Sequence, residues 1–126
     1  MSKEIIYSSA APEPIGPYSQ AVKAGNLLFL SGQIAINRST GAIVNSSISD
    51  ETHQVMMNMD ALLKQGGSSF GQVLKCTIFL KDMNNFAVVN DVYGKYFTTH
   101  PPARETVEVS RLPKDVNVEI SCIALV

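Results

Sequence analysis

The sequence has no tryptophan, two cysteines and two histidines among its 126 residues. Two cysteines are too few for a disulfide scaffold, so we expect Cys76 and Cys122 to be buried free thiols in a reducing compartment. His53 and His100 lack the spacing of metal ligands, and we therefore expect no metal site.

Long hydrophobic runs are also missing. No apolar stretch approaches the roughly 20 residues that span a bilayer, which argues against a transmembrane helix. The first seven residues carry one basic side chain and a very short apolar patch, unlike the apolar core of a secretory signal. We expect a cytoplasmic protein that does not contact membranes, with mitochondrial residence as the alternative.

An excess of charge of either sign is absent as well. Charged residues make up 17% of the chain and the formal net charge is −1 at pH 7. Without a basic field to attract phosphates, the composition argues against a nucleic-acid partner. Hydrophobic residues make up 45%, enough for a core, and no linker or repeat divides the chain. We expect a single domain over residues 1–126.

The spacing of apolar residues predicts the element order β-β-β-α-β-α-β-β. One helix is expected after an N-cap at Ser49 and ends at Gly66, and a second runs from a cap at Asn84 or Asn85 towards Pro101. The predicted strands are a hairpin over residues 21–31 and segments 73–80, 103–109 and 117–124. Each helix has one apolar stripe, which predicts an α+β fold with both helices on one face of a single sheet.

Alternation along the last two strands predicts which side chains share a face. Val118 and Ile120 are expected to face the helices together with Val107. The opposite face is then predicted to hold Arg104, Thr106, Glu108, Glu119, Ser121 and Ile123. Because the strands at residues 27–30 and 73–80 are apolar on both sides, this second face also needs burial. We predict a homo-oligomer with polar clefts between its subunits.

Several segments match the motifs of one known family, in order, from about Ile15 to the C-terminus. They are Ile15–Ala21 (IGPYSQA), Leu30–Ile34 (LSGQI), Lys75–Asp82 (KCTIFLKD), Pro102–Val109 (PARETVEV), Arg111–Asp115 (RLPKD) and Val118–Ile120 (VEI). Each match alone is weak, but together they are specific. On these motifs the chain resembles the reactive intermediate deaminase (Rid/YjgF) family, also called the endoribonuclease L-PSP family.

The resemblance implies a chorismate-mutase-like α+β fold, in which two helices pack on one face of a single mixed sheet. It also implies a homotrimer with clefts between neighbouring subunits. The implied reaction is the hydrolysis of 2-aminoacrylate or 2-iminobutanoate to a 2-keto acid and ammonia, and it needs no cofactor.

The resemblance also implies two catalytic residues. Arg104 is expected to bind the substrate carboxylate, because its planar guanidinium forms paired hydrogen bonds and stays charged. Glu119 is expected to position the attacking water and to manage protons. The alternatives are a structural arginine and an exposed strand glutamate, and burial of Glu119 would separate the two interpretations of that residue.

The remaining predicted substrate-binding residues come from the same motifs. Tyr18 is expected to line the cleft, although it could equally anchor the N-terminal loop. Ser31 and Gly32 are expected to bring backbone donors to the carboxylate, since glycine permits close approach. Asn90 is expected to reach a neighbouring subunit's site, or else to be an exposed polar residue. Thr106 stands where some relatives carry cysteine, which excludes a thiol nucleophile there.

Two other functions remain open at this point. An endoribonuclease or translation inhibitor would need basic residues along the phosphates, and only Arg104, Arg111 and Lys114 cluster. A non-enzymatic module that binds 2-keto acids would use the same residues as the hydrolase. Segment 97–102 is also shorter than the family loop that borders the cleft, which makes the substrate range less secure than the reaction type.

Overall fold

A mixed sheet of six strands carries both helices of the computed structural model, which describes residues 2–126. The strands are β1 (Lys3–Ile6), β2 (Ala21–Ala24), β3 (Leu27–Gln33), β4 (Val73–Leu80), β5 (Ala103–Glu108) and β6 (Val118–Leu125). The helices are α1 (Ile48–Gln65) and α2 (Phe86–Gly94). The strand order is β1-β2-β3-β6-β4-β5, and β4 and β5 pair in parallel while the other neighbours are antiparallel. The predicted α+β fold with one mixed sheet is confirmed.

The ends of α1 follow from local capping. Its N-cap is Ser47, whose hydroxyl accepts a hydrogen bond from the Asp50 N–H at 3.0 Å. Ser49, the predicted cap, lies inside the helix instead, so that prediction was two residues late. Asp50 and Glu51 occupy the first turn, where negative charge suits the helix dipole. The helix ends at Gly66 as expected.

The second helix is shorter than its apolar stripe suggested. It follows a short 3-10 turn, begins at Phe86 and ends at Gly94, well before Pro101. Phe97 nevertheless reaches the core, because the chain turns after Gly94 and its ring packs 4.7 Å from the Tyr93 ring. Aromatic residues beyond a helix end can therefore continue its buried stripe. No helix within residues 2–126 is long and apolar enough to cross a membrane.

The core lies between the helices and one face of the sheet. The β6 side chains that face the helices are buried as predicted: Val118, Ile120, Cys122 and Ala124. From α1 they meet Val55, Met56, Met59, Leu62 and Leu63, each fully buried. Burying a large apolar side chain contributes about 1.5–3 kcal/mol. Cys76 and Cys122 are buried free thiols, paired directly across β4 and β6, as expected.

The predicted orientation of β5 is wrong. Arg104 pairs with Cys76, and Thr106 pairs with Ile78. Cys76 and Ile78 are both buried on the helix side. Directly paired residues point to the same face, so Arg104 and Thr106 lie on the helix side of the sheet. Val107 lies on the opposite side and is 43% exposed. The prediction took an apolar residue to mark the helix side, but the other side of this sheet is also partly apolar.

We call the sheet face opposite the helices the open face. Phe29 pairs with Ile123 there, and Phe79 pairs with both Glu119 and Val107. These side chains are only partly buried, and Phe29 is 42% exposed. An apolar strip that no helix covers, with the Glu119 carboxylate beside it, is typical of a face that packs against another subunit.

Candidate active site

A β-bulge in β3 shapes the first part of the site. Leu30 pairs with Cys122 while Gln33 pairs with Ile120, so β3 holds one extra residue at Ser31 and Gly32. The Ser31 hydroxyl donates to the Ser19 carbonyl at 2.6 Å, and the Ser31 N–H donates to the Gln20 carbonyl at 3.0 Å. The bulge is thus tied to the loop that carries Tyr18.

Gly32 lies directly against the Glu119 side chain. A Cβ atom at Gly32 would stand 2.5 Å from Glu119 Oε2, a distance that no real side chain tolerates. Only glycine therefore lets this carboxylate approach the β3 backbone. Glu119 is half-buried, and burial raises the pKa of its carboxyl group. A raised pKa suits a carboxylate that exchanges protons with water near neutral pH.

Glu119, Gly32, Ser31 and Tyr18 line one cavity of about 550 Å³, the Glu119 cavity. Four of the predicted site residues therefore come together on the open-face side. The burial of Glu119 favours its functional interpretation over that of an exposed strand residue. Tyr18 lines the cavity and its hydroxyl also accepts a hydrogen bond from the Ile15 N–H at 3.3 Å. Tyr18 therefore lines the cavity and also anchors the N-terminal loop.

Arg104 lines a second cavity of about 440 Å³, the Arg104 cavity, on the helix side. Its Nη1 donates to Asn90 Oδ1 at 2.6 Å, so Asn90 binds the arginine of its own chain. The guanidinium carbon lies 5.6 Å from the centre of the Phe86 ring and 5.0 Å from that of Tyr93. The two rings cover part of the guanidinium of this otherwise exposed residue and attract the cation.

Two buried hydroxyls lie on the same side of the sheet as Arg104. Tyr93 Oη and Thr106 Oγ1 have no hydrogen-bond partner among residues 2–126. Buried polar groups are nearly always paired, so these hydroxyls are available to water or to a ligand. Burial raises the pKa of the Tyr93 hydroxyl, so the hydroxyl stays protonated.

Sequence patterns did not single out Phe86 and Tyr93, because aromatic residues at helical spacing predict a stripe that faces the core. A signal was present. Phe86 precedes Asn90 by four residues and Tyr93 follows it by three, so all three share one face of α2. Because Asn90 was a candidate binding residue, the side chains that share its face of α2 were candidates as well.

The two cavities open on opposite faces of the sheet. Arg104 pairs with the buried Cys76 on the helix side, whereas Glu119 pairs with Phe79 on the open face. One substrate molecule cannot reach both residues within one chain. Among residues 2–126, no three His, Cys, Asp or Glu side chains gather in a way that could hold a metal ion.

Comparison with known proteins identifies the family. Residues 8–126 match the family model described as endoribonuclease L-PSP. The chain belongs to this family, the Rid/YjgF proteins. A RutC family protein of Pyrococcus horikoshii is 57% identical over 122 residues, which cover 97% of both chains. The 2-iminobutanoate/2-iminopropanoate deaminase of Dermatophagoides farinae is 44% identical over 124 residues, which cover 98% of this chain and 97% of the relative.

Solved structures of Rid/YjgF proteins have the same fold. The crystal structure of E. coli TdcF with bound serine superposes with a TM-score of 0.93 at 40% identity and covers 98% of both chains. In this Rid/YjgF chain the family motifs are divided between the two cavities. The IGPYSQA and SGQI segments and Glu119 line the Glu119 cavity, and the PAR segment lines the Arg104 cavity.

Proposed function

We propose that this protein hydrolyses small reactive imines and enamines of 2-amino acids, such as 2-iminobutanoate and 2-aminoacrylate, to a 2-keto acid and ammonia. One observation carries the proposal: two complementary half-sites, one with a half-buried carboxylate of raised pKa and one with a guanidinium held by an amide and two rings. The name of the Dermatophagoides farinae relative, a deaminase of the same imines, supports it.

The complete site requires a second subunit, because Arg104 and Glu119 face opposite sides of one sheet. We propose a homotrimer in which the Arg104 cavity of each subunit meets the Glu119 cavity of the next. Joining two different surfaces repeatedly closes a ring, and each interface then completes one site. The strand β5, which carries Arg104, is an edge strand, and the apolar strip of the open face needs cover.

Arg104 binds the substrate carboxylate in this mechanism. Its planar fork matches the two carboxylate oxygens, and its hydrogen bond to Asn90 fixes the plane of the guanidinium. Phe86 and Tyr93 exclude water from one side of the cation, which strengthens its attraction for the anion. The unpaired hydroxyls of Tyr93 and Thr106 supply further donors on this side.

Glu119 activates the water. As a carboxylate it accepts a proton while the water oxygen bonds to the imine carbon, which gives a carbinolamine. Glu119 then returns this proton to the nitrogen and relays the proton of the carbinolamine hydroxyl to the nitrogen as the carbon–nitrogen bond breaks, so that ammonia leaves and the carbonyl of the 2-keto acid forms. An enamine first gains a proton at its terminal carbon to become the imine. No redox change occurs, so the reaction needs no cofactor. The absence of a side chain at Gly32 leaves the space that the carboxylate occupies.

The direct test supplies fresh imine from a serine or threonine dehydratase and follows semicarbazide trapping against time. Wild type should speed formation of the 2-keto acid and reduce trapping. Arg104→Ala, provided it keeps its fold and oligomeric state, should not. Lys64→Ala is the matched control, because this exposed cation on α1 lines neither cavity. No acceleration by wild type on any imine tested would reject the enzyme and leave a 2-keto-acid-binding module.

The family description favours a second candidate, an endoribonuclease that inhibits translation. The charge distribution supports it less well. The net charge is −1, and neither histidine lines the Glu119 cavity or the Arg104 cavity. His53 lies 3.0 Å from the Tyr96 hydroxyl. RNA cleavage led by phosphate contacts should fall steeply with added salt. Cleavage that survives Arg104→Ala and high salt would point to a contaminating nuclease.

The proposed compartment is the cytoplasm. The two cysteines are free thiols that face each other across neighbouring strands, which suits a reducing environment. Localisation of a tagged full-length chain by fractionation would test this assignment, and enrichment in mitochondria would support the alternative.

A further inference from the structure

Three side chains outside the predicted site form a connected cluster at one edge of the Glu119 cavity. Arg38 Nη2 lies 2.9 Å from Glu13 Oε2 and donates to the Tyr7 hydroxyl at 3.0 Å. The Tyr7 hydroxyl in turn donates to Glu13 Oε2 at 2.5 Å. Arg38 Nη1 also donates to the Ala11 carbonyl at 2.5 Å. One guanidinium thus joins three points of the N-terminal segment, and we call Tyr7, Glu13 and Arg38 the clasp.

The clasp fastens one side of the cavity. Residues 13–18, which we call the wall segment, form no helix or strand, and three of them, Glu13, Ile15 and Tyr18, line the Glu119 cavity. Side-chain bonds hold the chain on both sides of this segment: Gln20 Nε2 donates to the Pro12 carbonyl at 2.8 Å, and the Ser31 hydroxyl holds Ser19.

Apart from the contacts of Glu13, the hydrogen bonds of the wall segment are internal. The Tyr18 N–H donates to the Gly16 carbonyl at 2.9 Å, and the Ile15 N–H donates to the Tyr18 hydroxyl. Ile15 is 72% exposed. Glu13 is the residue of the segment that forms an ion pair with a distant part of the chain, through Arg38. The clasp therefore adds an attachment inside the segment to those that Gln20 and Ser31 provide on its two sides.

Arg38 stands on a rigid support. It belongs to the loop between β3 and α1, and the base of that loop is held by Asn58 of α1. Asn58 is buried, and its amide donates to the Ile34 and Ile36 carbonyls, each at 3.0 Å. Both isoleucines also line the Glu119 cavity. A continuous set of contacts thus runs from the core helix through Arg38 to the wall segment.

We propose that Arg38, through Tyr7 and Glu13, is a positioning residue that holds the wall segment over Glu119 and so sets substrate affinity. This inference rests on the proposed function and adds a residue outside the family motifs quoted above. The Arg38–Glu13 ion pair lies at the surface, with side-chain exposures of 29% and 57%, and such pairs contribute little to global stability. Loss of the clasp should therefore leave the fold intact. The same loss should loosen the local segment, whose opening costs little free energy.

Steady-state kinetics with Arg38→Met, Tyr7→Phe and the control Lys64→Met test the positioning role. Arg38→Met should raise KM about threefold to tenfold and keep kcat within about twofold, with the melting temperature unchanged. Tyr7→Phe breaks part of the clasp without removing a charge. If it also raises KM, by less than Arg38→Met does, the rise is not a long-range charge effect on an anionic substrate. Added salt screens exposed charges and should shrink the difference between wild type and Arg38→Met. An unchanged KM, or a fall in kcat alone, overturns the proposal.

A second measurement keeps this inference separate from the deaminase proposal. The chain has no tryptophan, so Ile15→Trp supplies a single fluorescent reporter in the wall segment. Its anisotropy should fall when Arg38→Met is added and should not fall with Lys64→Met. Binding of 2-oxobutanoate should weaken in parallel with the fall. Unchanged anisotropy rejects the clasp even if the protein hydrolyses imines. A fall in anisotropy without hydrolysis by wild type rejects the enzyme and leaves the clasp standing.

Discussion

Arg104 and Glu119 point away from each other, through opposite faces of the same sheet. Arg104 is paired with the buried Cys76, and Glu119 is paired with Phe79 on the open face. The two residues that the motifs assign to one reaction are thus separated by the thickness of the sheet within each chain. This separation makes the assembly testable through activity.

Mixed assemblies of two inactive variants should recover activity. The Arg104→Ala variant keeps Glu119, and the Glu119→Gln variant keeps Arg104. An interface is complete when its Arg104 cavity comes from the Glu119→Gln subunit and its Glu119 cavity comes from the Arg104→Ala subunit. Random mixing at equal amounts in a ring should restore about one quarter of wild-type activity. The measurement is imine hydrolysis by co-expressed, tag-purified mixtures. Separately purified variants, combined without subunit exchange, serve as the inactive control. Recovery indistinguishable from zero in verified mixed oligomers would sink the intersubunit site.

The pH dependence of kcat/KM should report Glu119. Burial raises the pKa of its carboxyl above the ordinary value of 4.5, and the active form is the carboxylate. Activity is therefore present above the folded pKa and should fall about tenfold per pH unit below it, with a midpoint above 4.5. Glu119→Gln should lose this acid limb together with most of the activity.

The control for that profile is Glu105→Gln. Glu105 is exposed on β5, and hydrogen bonding to Lys75 and Thr77 lowers the pKa of its carboxyl. Its titration therefore lies below that of Glu119, and the variant should keep the acid limb of wild type. If the acid limb of the pH profile shifts in Glu105→Gln and remains in Glu119→Gln, the titrating group is not Glu119.

Gly32→Ala should reduce activity without unfolding the protein. The new Cβ would lie 2.5 Å from Glu119 Oε2, and the carboxylate would have to turn away from the bulge. A displacement of about 1 Å can cost on the order of 100-fold in rate. Gly71→Ala is the matched control, since its Cβ would meet only the Ser69 hydroxyl at 3.7 Å. Wild-type kcat in a folded Gly32→Ala variant would show that this carboxylate position is not needed.

Glu51 should matter for stability and not for chemistry. Its fully buried carboxylate accepts hydrogen bonds from the Asn117 N–H and side-chain amide, both at 2.8 Å, and from the Val118 N–H at 3.3 Å. Glu51→Ala leaves these buried donors unpaired and should lower the free energy of unfolding by about 3 kcal/mol. Urea denaturation measures the change. Glu51→Gln, which keeps one acceptor oxygen, should lose less, and equal losses would contradict this account.

Sequence patterns predicted the elements better than their orientations. The bounds of β4 and the Gly66 end of α1 follow from short-range signals, namely an apolar run between turns and a glycine cap. The end of α2 was placed too late, because Phe97 continues the buried aromatic set after the helix stops at Gly94. Its burial is decided by tertiary packing that helical periodicity does not encode.

For the candidate site, the sequence motifs predicted which residues belong to it better than which face of the sheet each residue occupies. The motifs pointed to Tyr18, Ser31, Gly32 and Glu119 as site residues, and these four line one cavity. They could not say that Arg104 lies on the other face, because that depends on the register between β4 and β5. Alternation fixes which residues of one strand share a face but not which face is the core side when both sides are partly apolar.

The parallel pairing of β4 and β5 has a consequence for how the protein folds. The Arg104 cavity is built from residues 90–104, which belong to one contiguous β4–α2–β5 unit. The Glu119 cavity instead combines residues 12–36 with residues 113–119 and depends on β3 pairing with β6 across most of the chain. Bringing such distant segments together costs more chain entropy than closing a local unit. The half that carries Arg104 should therefore form early in folding, and the half that carries Glu119 only when the two ends of the chain meet.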